Sequence, residues 1–160
     1  AQMMSSDQLS AASASEIALN FFSNHLFYWG DIHYTQTMGP EKAERCNPAK
    51  SALDLGIKIS IHSDAPVTPV APLFTMWCAM NRVTRSGRVL GPKERLSASE
   101  ALRAVTLGAA ELMHMERDIG SIEVGKFADF TVLAENPLTV APGDVKDIAV
   151  VATVLSGTPT

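Results

Sequence analysis

Cysteine is scarce in this 160-residue chain, with only Cys46 and Cys78, each alone in a predicted helix. Neither a disulfide framework nor a cysteine-based zinc site is signalled, and both thiols are expected to be buried, reduced and inert. Excess positive charge is also missing. Thirteen Lys and Arg against seventeen Asp and Glu give a formal charge of -4, the wrong sign for gripping nucleic acid or an anionic membrane. No apolar run approaches the roughly 18 to 20 residues of a membrane span, and the opening residues Ala1 to Asp7 lack the basic-then-apolar pattern of a secretory signal. For a longer parent protein this leaves the compartment open, with the cytoplasm the default expectation. The four histidines, at 25, 33, 62 and 114, show no HxH or HExxH spacing, and no Gly-rich phosphate loop, nucleophile elbow or kinase signature occurs.

The residues that are present read as a globular α/β chain: 46% are hydrophobic and 19% charged. Ser5, Ser6 and Asp7 can cap a helix running to about Leu19. Ala18 to Phe22 reads as a strand ending at Ser23, Asn24 and His25, and the aperiodic, aromatic stretch Leu26 to Pro40 as a long loop. Glu41 to Leu55 is expected to be a helix interrupted near Asn47-Pro48 and stopped by Gly56. The run from Ile57 to His62 alternates as a strand and passes straight into Ser63-Asp64-Ala65-Pro66. Prolines 66, 69 and 72 keep the next loop extended before a helix from Leu73 to Val83. Thr84 to Leu96 reads as another loop. Ser97 and Glu100 form a capping box for a helix with apolar residues continuing to Met113, and from Gly120 the texture turns to strands, ending in Ile148 to Gly157. The first part implies a parallel unit and the end a separate sheet.

A carboxylate on the turn after a buried parallel strand lies at the carboxyl edge of the sheet, where α/β folds place their chemistry. Asp64 could there bind a metal or take a proton from water, or it could simply cap its turn. His25 ends the other predicted strand and could share that rim, or be hydrogen-bonded within its loop. His33 lies in the aromatic loop. The direction of His62 is not fixed by sequence, and His114 at a helix end suits the dipole.

Three segments carry a family resemblance: SDAPV (Ser63 to Val67) after a strand, the helix SASEALRAVTLGAAELM, and GSIEVGKFADFTVLAENPL. Together they resemble the C-terminal part of the amidohydrolase superfamily, in its Amidohydro_3 or YtcJ-like branch, which includes N-substituted formamide deformylases. The resemblance implies that residues 1–118 are the C-terminal portion of a TIM-like (β/α)8 metal-dependent hydrolase barrel, strands seven and eight with their helices. Residues 119–160 would be the C-terminal strands of a small composite β-sandwich. A whole barrel needs about 250 residues, and the opening Ala1-Gln2 resembles the residues just after the strand-six histidine of such enzymes. Asp64 matches the strand-eight aspartate that binds metal and accepts the proton of the attacking water. His25, Tyr28, Trp29 and His33 would contact substrate. The implied cofactor is a divalent metal, most simply one or two zinc ions, whose other ligands (the HxH pair and the histidines after strands five and six) are not in this chain. The implied partner is a small amide or formamide, with no nucleic acid and no membrane, and with a parent that could be a homodimer. The 160 residues alone are expected to be inactive. The alternatives are a free-standing module that binds a ligand or partner through its aromatic segment, and a degenerate relative that has lost its metal.

Overall fold

A computed structural model describes residues 1–160. The chain opens with helix α1 (Ser6–Ala14), whose capping box is closed by Ser5 and Gln8, and continues into strand β1 (Leu19–Phe22). Then come α2 (Asn24–Ile32) and a π-helical turn (His33–Thr37). The short helices α3 (Pro40–Glu44) and α4 (Ala49–Asp54) lead to strand β2 (Ile59–His62). Helices α5 (Pro72–Asn81), α6 (Ala98–Val105) and α7 (Leu107–Leu112) come next, then strands β3 (Phe130–Leu133), β4 (Val150–Leu155) and β5 (Thr158–Pro159).

β1 and β2 lie side by side in parallel, with Leu19 opposite Ile59 and Phe22 opposite His62. The alternation of side chains along a strand then sorts the two faces. Leu19, Phe21, Ile59 and Ile61 enter the main core beside Leu9, Met76, Met80, Leu96, Ala101 and Ala104. Asn20, Phe22, Ser60 and His62 share the opposite face, where the Ser60 hydroxyl donates to Asn20 Oδ1 at 2.8 Å. A second small core of Leu26, Ala43, Cys46 and Leu90 sits under α2, with Tyr34 and Met38 against it.

The expected loop over Leu26 to Pro40 is a helix, and His25 stands in the first turn of that helix rather than at a strand end. Nearly every side of α2 is engaged, which erases the apolar-polar period that marks a surface helix. Leu26 and Gly30 face the second core. Phe27 meets Phe74 and Trp77 edge-on at 5.2 and 5.8 Å. Asp31 accepts from the Thr84 and Ser86 hydroxyls and the Ser86 amide.

Two further differences have local causes. The expected continuous helix from Ala98 to Met113 breaks at Thr106 (φ -117°, ψ -96°), and α7 restarts with Gly108 pressed on the β2 backbone. A Cβ there would stand 2.3 Å from the Ile59 carbonyl oxygen. The strand expected from Gly120 begins only at Phe130, because Gly120 and Gly125 hold positive φ and turn the chain between them. β3, β4 and β5 form an antiparallel sheet that leaves Phe130, Val132, Val150, Val151 and Leu155 exposed.

Candidate active site

The carboxyl ends of β1 and β2 bring the chemistry-bearing residues together. Phe22 and His62, paired in register, stack with ring centroids 5.3 Å apart and planes 19° from parallel. Because α2 starts two residues after β1, His25 falls beside Phe22 at 5.2 Å. Residues four apart share a helix face, so Trp29 and His33 continue the line, with His25 4.9 Å from Trp29 and 4.7 Å from His33. Of the expected substrate contacts, His25, Trp29 and His33 thus form one stripe. Tyr28 stands to its side, between Trp29 at 5.5 Å and Phe74 at 6.2 Å, with the Arg85 guanidinium over its ring at 5.4 Å.

Polar contacts fix the stripe. Gln2 Nε2 lies 2.5 Å from His25 Nδ1. Donation by the amide makes Nδ1 the acceptor and leaves the proton on Nε2. His33 Nε2 is 3.3 Å from Nδ1 and 3.5 Å from Nε2 of His25, so it sits across the ring edge between them. Its own Nδ1 is held by the Thr37 hydroxyl at 2.7 Å. Burial, with His33 adding to it and Asp64 opposing, pulls the His25 imidazole down to about 4. Burial also lowers His33 and His62. All three rings therefore enter neutral-pH chemistry as neutral donors and acceptors.

Asp64 stands on the turn after β2, exposed and in the left-handed region (φ 56°). Its backbone carbonyl accepts from the Val67 amide at 2.8 Å, but its carboxylate takes no hydrogen bond and no ion pair within the chain. It caps nothing. The turn is pinned from below by buried Thr68, whose hydroxyl donates to the Ser63 carbonyl and accepts from Asn24 Nδ2 at 2.9 Å. Asn24 belongs to the first turn of α2, so this contact ties the Asp64 turn to the imidazole stripe. Phe22 and Gln2 join the site without having been singled out by sequence, and His62, whose direction the sequence leaves open, faces it. The strand register and the proximity of Gln2 across 23 residues are tertiary facts; only the spacing of His25, Trp29 and His33 was visible as a signal.

The donors gathered at this rim do not by themselves amount to a metal site, because no three His, Cys, Asp or Glu side chains converge and a stable site needs three or four ligands. Asp64 can supply one. His114, in the left-handed turn after α7, lies away from this cluster.

The amidohydrolase family profile matches residues 1–160. The chain belongs to the amidohydrolase family. This amidohydrolase chain is 34% identical over 131 residues to the N-substituted formamide deformylase of Arthrobacter pascens, covering 82% of itself and 24% of that protein. It is 28% identical over 161 residues to the putative amidohydrolase YtcJ of Bacillus subtilis (strain 168), covering 98% of itself and 30% of the relative. Among solved structures, it superposes on a metal-dependent hydrolase from Pyrococcus horikoshii with a TM-score of 0.77 and 25% identity, over 89% of this chain and 29% of the other. The chain thus spans 24–30% of the length of these relatives.

Proposed function

We propose that this chain is the strand-seven and strand-eight portion of a (β/α)8 amidohydrolase barrel, with residues 119–160 as C-terminal strands of its composite sandwich. The complete protein hydrolyses a non-peptide carbon–nitrogen bond of a small amide or formamide. The observation that carries the reading is the pairing of β1 with β2, whose carboxyl ends join an unpartnered Asp64 to the His25, Trp29 and His33 stripe, in a chain matched to the family along its whole length. The polar inner face of Asn20 and Ser60 suits a barrel interior, and the exposed apolar faces of β3 and β4 suit a sandwich completed by other strands.

In this reading a divalent metal, most simply zinc, takes Asp64 as one ligand and its remaining ligands from the rest of the protein. When bound, such an ion lowers the pKa of water toward about 7 and polarises a carbonyl. Asp64, free of internal partners, accepts the proton of the attacking water and returns it to the leaving nitrogen. Phe22, Trp29 and His62 supply an apolar and aromatic wall, and His25 and His33, uncharged, position a polar group of the substrate and keep bulk water off it.

The test is Asp64→Asn in the complete protein, purified with zinc and assayed on a panel of N-substituted formamides and small amides. The expected loss is about 10²–10⁴-fold in kcat, the range of a general acid–base contribution. Full activity in the variant at unchanged metal content refutes the assignment, and a parent that binds no metal and turns over no amide supports a non-catalytic relative instead.

A further inference from the structure

Behind the stripe, three sulfur atoms from separate segments converge. Cys46 Sγ lies 3.2 Å from Met3 Sδ and 3.6 Å from Met38 Sδ. Cys46 comes after α3, Met38 closes the π-helical turn, and Met3 belongs to the segment before α1. A thiol packed in a core donates its single hydrogen to one acceptor, which accounts for one of these contacts and leaves the second thioether drawn to the same sulfur. Cys46 is 1% exposed and Met3 39%, so the group is enclosed on the protein side and reachable through Met3.

We propose that Met3, Met38 and Cys46 form a binding site for a soft monovalent cation of the copper(I) class. Thiolate and thioether sulfur select such ions, whereas imidazole, carboxylate and water serve harder ones, and no such harder donor shares the cluster. Charge argues for a monovalent ion: one thiolate neutralises one positive charge, while a divalent ion would add a net charge to a buried place that already holds the Arg82 guanidinium on the Cys46 carbonyl, at considerable cost. Binding breaks the S–H bond, forms the metal–thiolate bond and releases the proton to solvent. With metal–sulfur bonds of about 2.3 Å, three ligands in a plane stand about 4 Å apart, so the Cys46 contacts to Met3 and Met38 must lengthen by roughly 0.8 and 0.4 Å. The exposed Met3 side chain is the one free to move. Gln2, the neighbour of Met3 in the chain, links the site to the stripe through its side-chain bond to His25 Nδ1.

The zinc-loaded complete protein, its C78S and C46S variants and the double variant M3L/M38L, which conserves volume, are titrated anaerobically with copper(I) against the chromogenic chelator bicinchoninate. The expected result is one equivalent held by the wild type and by C78S, and none by C46S. Binding by M3L/M38L should weaken by more than about tenfold, since even outer-shell partners of a metal contribute 10–100-fold. No competition by the wild type, a full equivalent in C46S, or unchanged affinity in M3L/M38L overturns the proposal. If C46S fails to fold, the double variant decides, because it keeps the thiol.

Discussion

Replacing Arg82 by methionine is expected to cost about 3–5 kcal/mol, the amount typical of breaking a buried charged network. Arg82 is 1% exposed. Its guanidinium donates from Nε to the Leu90 carbonyl at 2.6 Å, from Nη1 to the Asn47 carbonyl at 3.0 Å, and from Nη2 to the Cys46 carbonyl at 2.6 Å. Burial pulls it down only to about 10, so it remains a cation at neutral pH and its hydrogen bonds are charge-assisted. Methionine fills much of the same volume but leaves the Leu90 and Cys46 carbonyls without donors, each worth about 1–3 kcal/mol when orphaned. The Asn47 carbonyl retains the Ala49 amide at 2.8 Å. Removing a buried charge offsets part of this loss, which keeps the sum below the top of the additive figure. Against a total stability of about 5–15 kcal/mol for an ordinary domain, the effect is large. Equilibrium urea unfolding followed by tryptophan fluorescence measures it directly, and R82K, which keeps the charge but not the planar fork, should fall between the two. A change below about 1 kcal/mol in R82M would show that water or a shifted loop satisfies those carbonyls, and the keystone role would be wrong. The same variant should disturb the site, because the Asn47 amide donates to the Gln2 carbonyl at 2.7 Å and Asn47 Nδ2 to the Phe22 carbonyl at 2.9 Å.

Gly108→Ala should destabilise the chain by about 1–3 kcal/mol or more, the usual range for overpacking, because the added Cβ meets the Ile59 carbonyl oxygen at 2.3 Å; a thermal melt within a degree of wild type would contradict that contact. Ser97→Ala removes the cap that accepts from the Glu100 amide and should cost about 1 kcal/mol, read from the urea midpoint. The His25 imidazole should titrate near 4 by NMR, against an ordinary 6.5. Its folded value lies below its unfolded one, so its contribution to stability is complete above about pH 6.5 and is lost as the pH falls toward 4. A titration near 6.5 would mean that the ring is not buried against His33 and Gln2.

The capping box at Ser97, the strand at Ile59–His62 and the polar turn after it were legible because each is a local signal. Helix α2 was not. Leu26, Phe27, Trp29 and Gly30 all face some neighbour, so hydrophobicity runs round the helix and no period survives; the i, i+4, i+8 spacing of His25, Trp29 and His33 was the remaining trace. Alternation between Ser121 and Phe127 suggested strand, but two positive-φ glycines and full solvent exposure of Val124 make it a turn. Spacing alone leaves Asp64 divided between cap and functional carboxylate, because whether anything donates to its side chain is a matter of tertiary packing. The roles of Phe22, His62 and Gln2 depend on which strand end and which terminus lie nearby, information held by tertiary packing.

The hydrogen bond between Ser60 and Asn20 has a meaning beyond its own small energy. Parallel strands one residue out of step exchange their faces completely, and here such a slip would carry Asn20 into the apolar layer of Ile59 and Ile61 while lifting Phe21 out of it. The polar rung near the floor of the sheet therefore acts as an index mark. It sets which residues arrive together two positions higher, so the stacking of Phe22 on His62 and the start of α2 beside them are counted upward from a pair that never touches the chemistry.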